Sequence, residues 1–435
     1  MTTKALILDG TNAGDETGRR ISTILQAELR AQAWEIEHLA LKDMRFGHCA
    51  GDFFCWIRTP GVCKMNEAAR MVARAAARCD LLVFLTPVTF GGYSAALKGA
   101  VDRLTQNNLP FFEGNDGEIH HQPRYLHHPG LLAIGWMDEV NGDEGAIFHH
   151  LVQRNAANLH CTHAVSGILH TGQKDGAVTT AIRNWVSETQ NGRLTPPVEL
   201  PVYEHHQSNE KPIQNALLLV GSPRGKGSTS QSLGGYLFEQ LKAQGVETTT
   251  LNLYPALNSL QGTRALLEAV NRHDLVVLAS PLYIDSLPGP VVGALELIAA
   301  QCSKEPGRAA FSAIINCGFP EAKHCEPALA MGAAFARRAG LAWAGGLALG
   351  GGAGVVNGAP LVDLGWRGRS IRRSLELSAA GLAAGKPIPE EAVRLMGKKR
   401  IPNWLLFLAS GIGWRQKSRK FGAEKELRKQ PYLTD

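Results

Sequence analysis

The sequence repeats one pattern of strands and helices, and this duplication limits the fold more than any other feature. Segment 4–11, KALILDGT, resembles segment 215–222, NALLLVGS, at an offset of 211 residues. Segment 79–87, CDLLVFLTP, resembles segment 273–281, HDLVVLASP, at an offset of 194 residues. The offsets differ by 17, so the first half carries about 17 additional residues between its first and third strands. The 435 residues are therefore expected to form two copies of one domain.

Each half alternates short apolar runs with segments of helical periodicity. In the first half we expect strands at 4–8, 34–41, 80–87, 131–135 and 164–168, and helices at about 18–32, 65–78 and 94–104. Strands separated by helices need βαβ crossovers, which produce a parallel sheet covered by helices on both faces. The expected fold class is α/β, with two tandem doubly wound parallel-sheet domains.

Composition shifts along the chain predict its domain boundaries. We expect domains at 1–190 and 215–385, a proline-containing linker at 191–214, and an apolar-basic C-terminal tail at 386–435. The apolar part of the tail, 401–414, is too short to span a membrane and precedes several basic residues. Packing of this segment on protein is favoured, and binding to a membrane surface is the alternative.

Overall composition limits the classes of partner and location. Hydrophobic residues make up 44% and charged residues 19% of the chain, which is typical of a protein with a large core. A net charge of +6 is too small for an extended nucleic-acid surface, so no nucleic-acid partner is expected. The N-terminus has no signal-peptide pattern, and most of the eight cysteines lie scattered in apolar segments. We therefore expect a cytoplasmic protein with reduced thiols.

The loop that follows the first strand of the second half has the composition of an anion-binding site. Residues 221–230 read GSPRGKGSTS and precede a helix. Glycines let backbone N–H groups turn toward an anion, the helix N-terminus adds a positive dipole, and hydroxyl groups can donate to phosphate oxygens. The loop lacks a Walker A ending and a G-x-G-x-x-G pattern, which disfavours triphosphate hydrolysis and dinucleotide binding. The alternative interpretation is a polar loop that only caps the helix.

A second loop of unusual composition follows the third strand of each half. It reads TPVTFGGYS at 86–94 and SPLYIDSLPG at 280–289. In an open α/β sheet, ligands bind beyond the carboxyl ends of the strands, where the first and third strands adjoin. Proline and glycine let the backbone approach a planar ligand, and an aromatic side chain can pack against it. Each loop taken alone is also compatible with a structural turn.

These motifs together resemble the flavodoxin-like NAD(P)H-dependent FMN reductase family. The resemblance rests on GSPR with STS at the helix start, on SPLY at 280–283, and in the first half on 86–94, on Leu97-Lys98 with Asp102-Arg103, and on the Cys49 to Cys63 segment. It covers residues 4–190 and 215–350. It implies two flavodoxin-like domains, non-covalently bound FMN, and NAD(P)H as co-substrate.

The resemblance also implies site residues. Phosphate contacts would come from Ser222, Arg224, Ser228, Thr229 and Ser230, and contacts to the ribityl chain and ring from Pro281, Leu282, Tyr283 and Ile284. The matching ring-side residues of the first half are Thr86, Pro87, Val88, Phe90, Gly91, Gly92 and Tyr93. The first-half loop at 9–17 instead places Asp15 and Glu16 where a phosphate would bind, and like charges repel. The second half is therefore expected to hold the primary FMN site.

The cysteine segment of the first half allows three interpretations. Iron–sulfur relatives of this family carry four cysteines here, whereas in this chain Cys49, Cys55 and Cys63 fit three of the positions and Asp52 stands where the second cysteine belongs. A structural loop near the flavin is favoured over a redox-active thiol, and both are favoured over a cluster. Paired histidines elsewhere point in different directions on a strand or helix, so no metal site is expected.

The implied activity is hydride transfer from NAD(P)H through FMN to a small-molecule electron acceptor, such as a quinone or a flavin. No acid or base is needed for hydride transfer, so no catalytic side chain is assigned, although Tyr283 and Tyr93 are ring-side polar candidates. The alternatives are an FMN-binding electron carrier and a non-catalytic flavin-binding or regulatory protein. The acceptor, the choice between NADH and NADPH, the number of FMN molecules per chain, and a homodimeric state stay open.

Overall fold

Strands of six to eight residues form two separate parallel sheets, and the central strands of each sheet are apolar runs. The computed structural model describes residues 3–433 except 46, 66, 116, 140, 191, 193, 195, 204–210 and 303–308. The chain divides into two compact units, of which the first comprises Met1–Glu199 with Trp404–Asp435 and the second comprises Leu200–Asn403. Much of the predicted linker lies outside the described residues.

The first unit is built on a five-stranded parallel sheet in the order β2-β1-β3-β6-β7. Its strands are β1 (Lys4–Asp9), β2 (Glu35–Ala40), β3 (Leu81–Pro87), β6 (Gly130–Met137) and β7 (Ala164–His170), with an antiparallel hairpin of β4 (Asn108–Asn115) and β5 (Glu118–Pro123). Its helices are α1 (Glu16–Ala31), α2 (Phe54–Ile57), α3 (Ala68–Ala76), α4 (Ala95–Arg103), α5 (Gly142–Asn158) and α6 (Asp175–Glu188).

The second unit repeats this arrangement in a sheet of order β12-β11-β10-β8-β9. Its strands are β8 (Asn215–Val220), β9 (Glu247–Asn252), β10 (Leu275–Pro281), β11 (Ala310–Asn316) and β12 (Ala342–Leu349). Its helices are α7 (Thr229–Ala243), α8 (Leu253–Leu257), α9 (Leu260–Arg272), α10 (Gly289–Gln301), α11 (Glu326–Arg338), α12 (Gly352–Val355), α13 (Arg369–Ala383) and α14 (Glu390–Met396). The C-terminal segment adds α15 (Asn403–Arg419).

The two sheets share their burial pattern as well as their strand order. The central strands β1, β3, β8 and β10 are almost fully buried, whereas the edge strands β2 and β9 share one partly exposed pattern. Leucine, isoleucine and valine dominate the buried strands, and threonine and glutamate occur at the edges. Strand order 2-1-3-4-5 is that of the flavodoxin-like fold, with its switch point between the first and third strands. The prediction of two tandem flavodoxin-like domains is confirmed.

The hairpin β4–β5 is the principal element that the sequence pattern does not predict. Strand β5 carries Glu118 and two histidines, and the short apolar run of β4 contains Pro110 and is followed by Glu113 and Gly114, so neither strand has the pattern of a buried parallel strand. The hairpin lengthens the connection between β3 and β6. The additional 17 residues predicted between the first and third strands are present as the cysteine segment between β2 and α3.

The last 50 residues, expected as one tail, divide between the two units. Helix α14 packs against α13 and β12 in the second unit. The segment from Trp404 onward belongs to the first unit, where the buried Arg124 guanidinium donates to the carbonyl oxygens of Leu427 at 3.0 Å and Lys429 at 2.9 Å. Trp414 also packs edge-on against Trp56 at 5.4 Å. Among the described helices, none is both long and apolar enough to cross a membrane.

Candidate functional site

The two loops expected to flank one crevice in the second half lie side by side. The Gly221 N–H donates to the Ala279 carbonyl oxygen at 2.8 Å. A Cβ atom at Gly221 would lie 3.0 Å from Ser280 Oγ, so this approach requires glycine. The switch point of the sheet thereby brings residues 222–230 next to residues 281–284, as the topology predicts.

The first of these loops presents hydrogen-bond donors at the start of α7. Ser228 caps the helix by accepting from the Gln231 N–H at 3.1 Å, and Gly225 and Gly227 adopt positive φ angles of 52° and 84°. Within the described part of the chain, nothing accepts a hydrogen bond from the backbone N–H groups of Lys226, Gly227, Thr229 and Ser230. Such unsatisfied donors at a helix N-terminus form an anion site.

Two cations add to the positive potential of this loop. The Arg224 and Lys226 side chains are exposed, and no carboxylate of the described residues lies within ion-pair distance of either. Pro223, Gly225 and Thr229 are half-buried, whereas Ser222 and Ser230 are buried. The five predicted phosphate-contacting residues therefore lie in one positively charged loop. A phosphate group would complement the charge of this loop.

The second loop forms a tight turn with strained backbone. The Tyr283 N–H donates to the Ser286 carbonyl oxygen at 3.0 Å, and the reverse bond measures 3.2 Å. Ile284 and Asp285 sit at the turn with φ angles of 41° and 56°. A β-branched residue at positive φ is a steric outlier that costs about 1–3 kcal/mol. Residues 281–284 are half-exposed, so the apolar side chains of this turn are accessible to a planar ligand.

Asn316, which the sequence analysis did not single out, connects the two loops. Its Nδ2 group donates to Ser230 Oγ at 2.9 Å and to the Ser280 carbonyl oxygen at 3.0 Å. Asn316 is the last residue of β11 and pairs in register with Pro281. A polar residue that ends an otherwise apolar strand is the signal that could have indicated it.

A glycine-rich segment after β12 packs against the same loop and was also missed. A Cβ atom at Gly352 would lie 3.2 Å from Thr229 Cγ2, and one at Gly358 would lie 1.8 Å from the Gly227 carbonyl oxygen. The approach at Gly358 excludes any Cβ atom, and the contact at Gly352 is tighter than most Cβ contacts. The run LGGGAG at 349–354 is the sequence signal for a close backbone contact.

The equivalent loop of the first unit is closed by its own side chains. Asp15 caps α1 by accepting from the Gly18 N–H at 2.9 Å through Oδ1, and its Oδ2 accepts from Trp136 Nε1 at 3.1 Å. A Cβ atom at Gly18 would lie 2.6 Å from Trp136 Cζ2, so the indole covers the start of the helix. A carboxylate and an indole thus occupy the region that is open in the second unit.

The ring-side loop of the first unit is also closed. Phe90 and Tyr93 are each 1% exposed, and Tyr93 packs edge-on against Phe84 and Phe148. A Cβ atom at Gly91 would lie 2.5 Å from Ile147 Cβ, so α5 presses on the turn. Thr86, Val88 and Gly92 are buried as well, and Pro87 is half-buried. The predicted first-half residues therefore lie together, but inside the core of the first unit.

The cysteine segment of the first unit, residues 49–63, packs against α4 of the same unit. Arg103 Nη2 donates to Cys63 Sγ at 3.2 Å and pairs with Glu67. Burial raises the pKa of Cys49 to about 11. Among the described residues, no three histidine, cysteine or carboxylate side chains are arranged to hold a metal ion. The described cysteines are free thiols, and the contacts of this segment are those of a packed loop.

Sequence comparison identifies the family to which this pair of domains belongs. The model for NADPH-dependent FMN reductase matches residues 3–123 and 215–342, which is more than half of the chain. The chain therefore belongs to the NADPH-dependent FMN reductase family, with the family domain present twice. It is an NAD(P)H-dependent oxidoreductase with FMN as cofactor. No curated protein matches the chain.

Solved structures resemble single halves of the chain at low identity. An NAD(P)H:quinone oxidoreductase from Methanothermobacter marburgensis is 15% identical over 44% of this chain and 99% of its own, with a TM-score of 0.35. An azoreductase from Bacillus anthracis str. Sterne is 14% identical over 43% and 99%, with a TM-score of 0.34. An FMN-dependent NADH-azoreductase from Bacillus anthracis str. Ames Ancestor in complex with FMN is 12% identical over 39% and 100%, with a TM-score of 0.31.

Proposed function

We propose that the second unit alone holds FMN and transfers electrons from NAD(P)H to a planar acceptor such as a quinone or a free flavin. The observation that carries this proposal is the contrast between its open helix N-terminus and the closed one of the first unit. The unsatisfied N–H groups of Lys226, Gly227, Thr229 and Ser230 need an acceptor, and a phosphate supplies several.

Each predicted residue then has a specific role in holding the cofactor. Arg224 provides a charge-assisted contact to the phosphate, and Ser228 holds the start of the helix in place. Ser222, Thr229 and Ser230 complete the phosphate loop, and Asn316 fixes Ser230 against the neighbouring loop.

The turn at 281–284 supplies the contacts to the ring. Its reciprocal hydrogen bonds fix the backbone, and its half-exposed apolar side chains exclude water from a bound ring and its acceptor. Bound FMN supplies the hydride-accepting and electron-donating chemistry. The protein binds, orients and shields the flavin. Tyr283 is the aromatic side chain that would contact a stacked acceptor.

Counting flavin tests this proposal directly. The purified protein should be yellow, contain one FMN per chain, lose its flavin absorbance on anaerobic addition of NADPH or NADH, and regain it with a quinone. Two FMN per chain would contradict the assignment to the second unit. A colourless chain that binds no added FMN would overturn the proposal, and flavin that bleaches but passes no electrons to quinones or flavins would favour an electron carrier.

A further inference from the structure

Helix α15 leaves the apolar side chains of its first half exposed. Trp404 is 66% exposed, Leu408 is 56% exposed and Ile412 is 49% exposed. Because these residues are spaced four apart, they lie on one face of the helix. Leu405 and Phe407 are exposed beside them. The first half of α15 therefore presents an apolar strip to solvent.

The first helix of the same unit buries a strip of this spacing. In α1, Ile21, Leu25 and Leu29 are fully buried in the core that the helix shares with the sheet. In α15, all of whose residues are described, Ser418 alone is buried. Exposed apolar patches mark surfaces that bind another molecule or a membrane. The strip of α15 is therefore a candidate interaction surface.

The second half of α15 is held on the first unit by aromatic contacts. Trp414 packs edge-on against Phe53 at 5.5 Å and against Trp56 at 5.4 Å. Just beyond the helix, Phe421 packs edge-on against Phe54 at 5.5 Å. These contacts anchor the C-terminal end of α15, whereas the exposed strip lies at its other end.

Positive charge follows the apolar strip along the helix. Segment 404–421 contains four basic residues and no aspartate or glutamate. Arg415 and Arg419 lie three and seven residues after Ile412, so they continue the same face. We name the exposed apolar and basic side chains of this segment the α15 surface, which comprises Trp404, Leu405, Phe407, Leu408, Ile412, Arg415, Lys417, Arg419 and Lys420.

Most of the positive charge of the α15 surface is not neutralised by acidic side chains. Arg419 pairs with Glu424. Arg415 instead lies over the Phe111 ring at 5.6 Å, and Lys417 lies over the Trp414 ring at 4.7 Å. Within the described part of the chain, no carboxylate lies within ion-pair distance of Arg415, Lys417 or Lys420. The surface therefore complements a partner that has an apolar region next to negative charge.

An anionic lipid bilayer has both of these properties. Interfacial helices bury apolar and tryptophan side chains at the boundary of the acyl chains, while lysine and arginine contact the headgroup phosphates. A second copy of this chain would bring the same segment, which has no carboxylate to meet the cations. A protein groove encloses much of a helix, but α15 is anchored along its second half and offers one side only.

We propose that α15 binds the first unit peripherally to the surface of an anionic lipid bilayer. The apolar strip enters the boundary between headgroups and acyl chains, and the basic residues contact lipid phosphates. The apolar run 401–414 is too short to span a bilayer, so the helix lies in the interface.

Vesicle flotation of the purified full chain tests this proposal. Vesicles of equal parts phosphatidylglycerol and phosphatidylcholine should carry the protein to the top of a density gradient in about 0.1 M salt. Binding should weaken in about 0.5 M salt, because salt screens the attraction between cations and lipid. Vesicles of phosphatidylcholine alone should bind at least roughly tenfold more weakly. Failure to float with the anionic vesicles in about 0.1 M salt would overturn the proposal.

A variant of the apolar strip tests where the bilayer binds. Leu408→Gln combined with Ile412→Gln changes two exposed side chains and no charge, and should weaken binding at least roughly tenfold. Leu126→Gln is the matched control, because Leu126 is 86% exposed in the same unit, and its binding should equal that of the parent. Unchanged binding in the strip variant would place the bilayer contact elsewhere and contradict the proposal.

A second pair of variants tests the basic residues. Lys417→Gln combined with Lys420→Gln should weaken binding to the anionic vesicles roughly 20-fold, since each cation near the surface contributes about 1 kcal/mol. Lys42→Gln combined with Lys174→Gln changes the net charge equally at two exposed positions of the same unit and should have little effect. Equal losses in the two double variants would mean that overall charge drives the binding, which contradicts the proposal.

Trp404 reports whether the strip enters the bilayer. Lipids brominated on their acyl chains quench tryptophan fluorescence over a short distance. At vesicle concentrations that bind both proteins fully, the parent should be quenched and Trp404→Phe should lose much of this quenching. Equal quenching in the two proteins would refute insertion of the strip.

Sedimentation velocity without lipid separates a bilayer from a second copy of the chain. The parent and the Leu408→Gln, Ile412→Gln variant should have the same oligomeric state. A parent dimer that this variant dissociates, together with an absence of flotation, would assign the α15 surface to a second copy and overturn the proposal.

Discussion

The two units share one fold, but the N-terminus of the first helix is covered by side chains in the first unit and open in the second. In the first unit Asp15 and Trp136 satisfy and cover the helix N-terminus, whereas in the second unit Ser228 caps it and leaves neighbouring N–H groups without protein acceptors among the described residues. The second loop is also two residues longer between its first glycine and its cap. A few side chains at the carboxyl edge of the sheet therefore decide whether one scaffold presents an anion site.

The end of the fourth strand shows the same divergence. Trp136 and Asn316 occupy equivalent positions, since each pairs in register with the proline that ends the third strand. Counted from these residues, Met137, Glu144 and Gly145 of the first unit stand where Cys317, His324 and Cys325 stand in the second. The two units therefore carry different side chains at equivalent positions beyond the fourth strand.

The largest expected difference between the units is their response to acid. Burial lowers the pKa of His121 to about 3 and that of His160 to about 4 in the first unit. Because the unfolded chain binds these protons near pH 6.5 and the folded unit does not, the stability of the first unit falls as pH drops below 6.5. His324 has the opposite sign, because its contribution is fully present below pH 6.5 and is lost only as pH rises through about 9.

Between pH 7 and pH 5, His121 and His160 should each cost the first unit about 2 kcal/mol of unfolding free energy, which is about 4 kcal/mol for the pair. Hydrogen exchange corrected for intrinsic rates, followed on the amides of β6 and β11, measures the two units in one sample. A His121→Asn variant should halve the loss. If the amides of β11 exchanged faster than those of β6 at pH 5, the second unit would be the more acid-sensitive one and the prediction would be wrong.

Loss of the phosphate contacts should have the next largest effect. Arg224→Ala combined with Ser228→Ala removes a charge-assisted contact and the helix cap, so FMN affinity should fall roughly 100-fold. Fluorescence titration of free FMN measures the change. Glu16→Ala is the matched control in the first unit, and its FMN affinity should equal that of the parent. Unchanged affinity in the double variant would remove the phosphate site from 222–230.

The smallest expected difference concerns the two helix caps in the FMN-free protein. Ser228→Ala should destabilise α7 by about 1 kcal/mol through loss of the cap. Asp15→Ala should destabilise α1 by about 2 kcal/mol, because it also leaves the buried Trp136 N–H without its acceptor. Local hydrogen exchange in α1 and α7 gives both values. Equal costs would indicate that the Trp136 contact contributes little to closing the first loop.

Much of the fold could be predicted from the sequence because the relevant interactions are local. Apolar runs such as 216–220 form buried strands, and helical periodicity fixes the elements between them to within a few residues. The hairpin β4–β5 could not be predicted in this way, since β5 is polar, Pro110 interrupts the apolar run of β4, and the position of the hairpin depends on packing against the rest of the unit.

One part of the candidate site depends on residues that are neighbours in sequence, and the other part depends on residues far apart along the chain. The loop at 222–230 follows directly from its glycines and hydroxyl groups, whereas Asn316 reaches it from 86 residues away along the chain. Gly358 likewise meets Gly227 across more than a hundred residues. Sequence spacing carries no information about such contacts, because only the order of the strands brings them to one edge.

The sequence by itself determined that this protein is a tandem of two α/β domains. It also determined that each half has one loop after its first strand and another after its third strand. It also determined which half carries the serine- and glycine-rich loop, because those signals occupy neighbouring residues. Only the tertiary structure decided that Trp136 closes the first loop, and that Asn316 connects the two loops of the second unit. The physical reason is that these groups act through space over a few ångströms, and only the packing within each unit sets those distances.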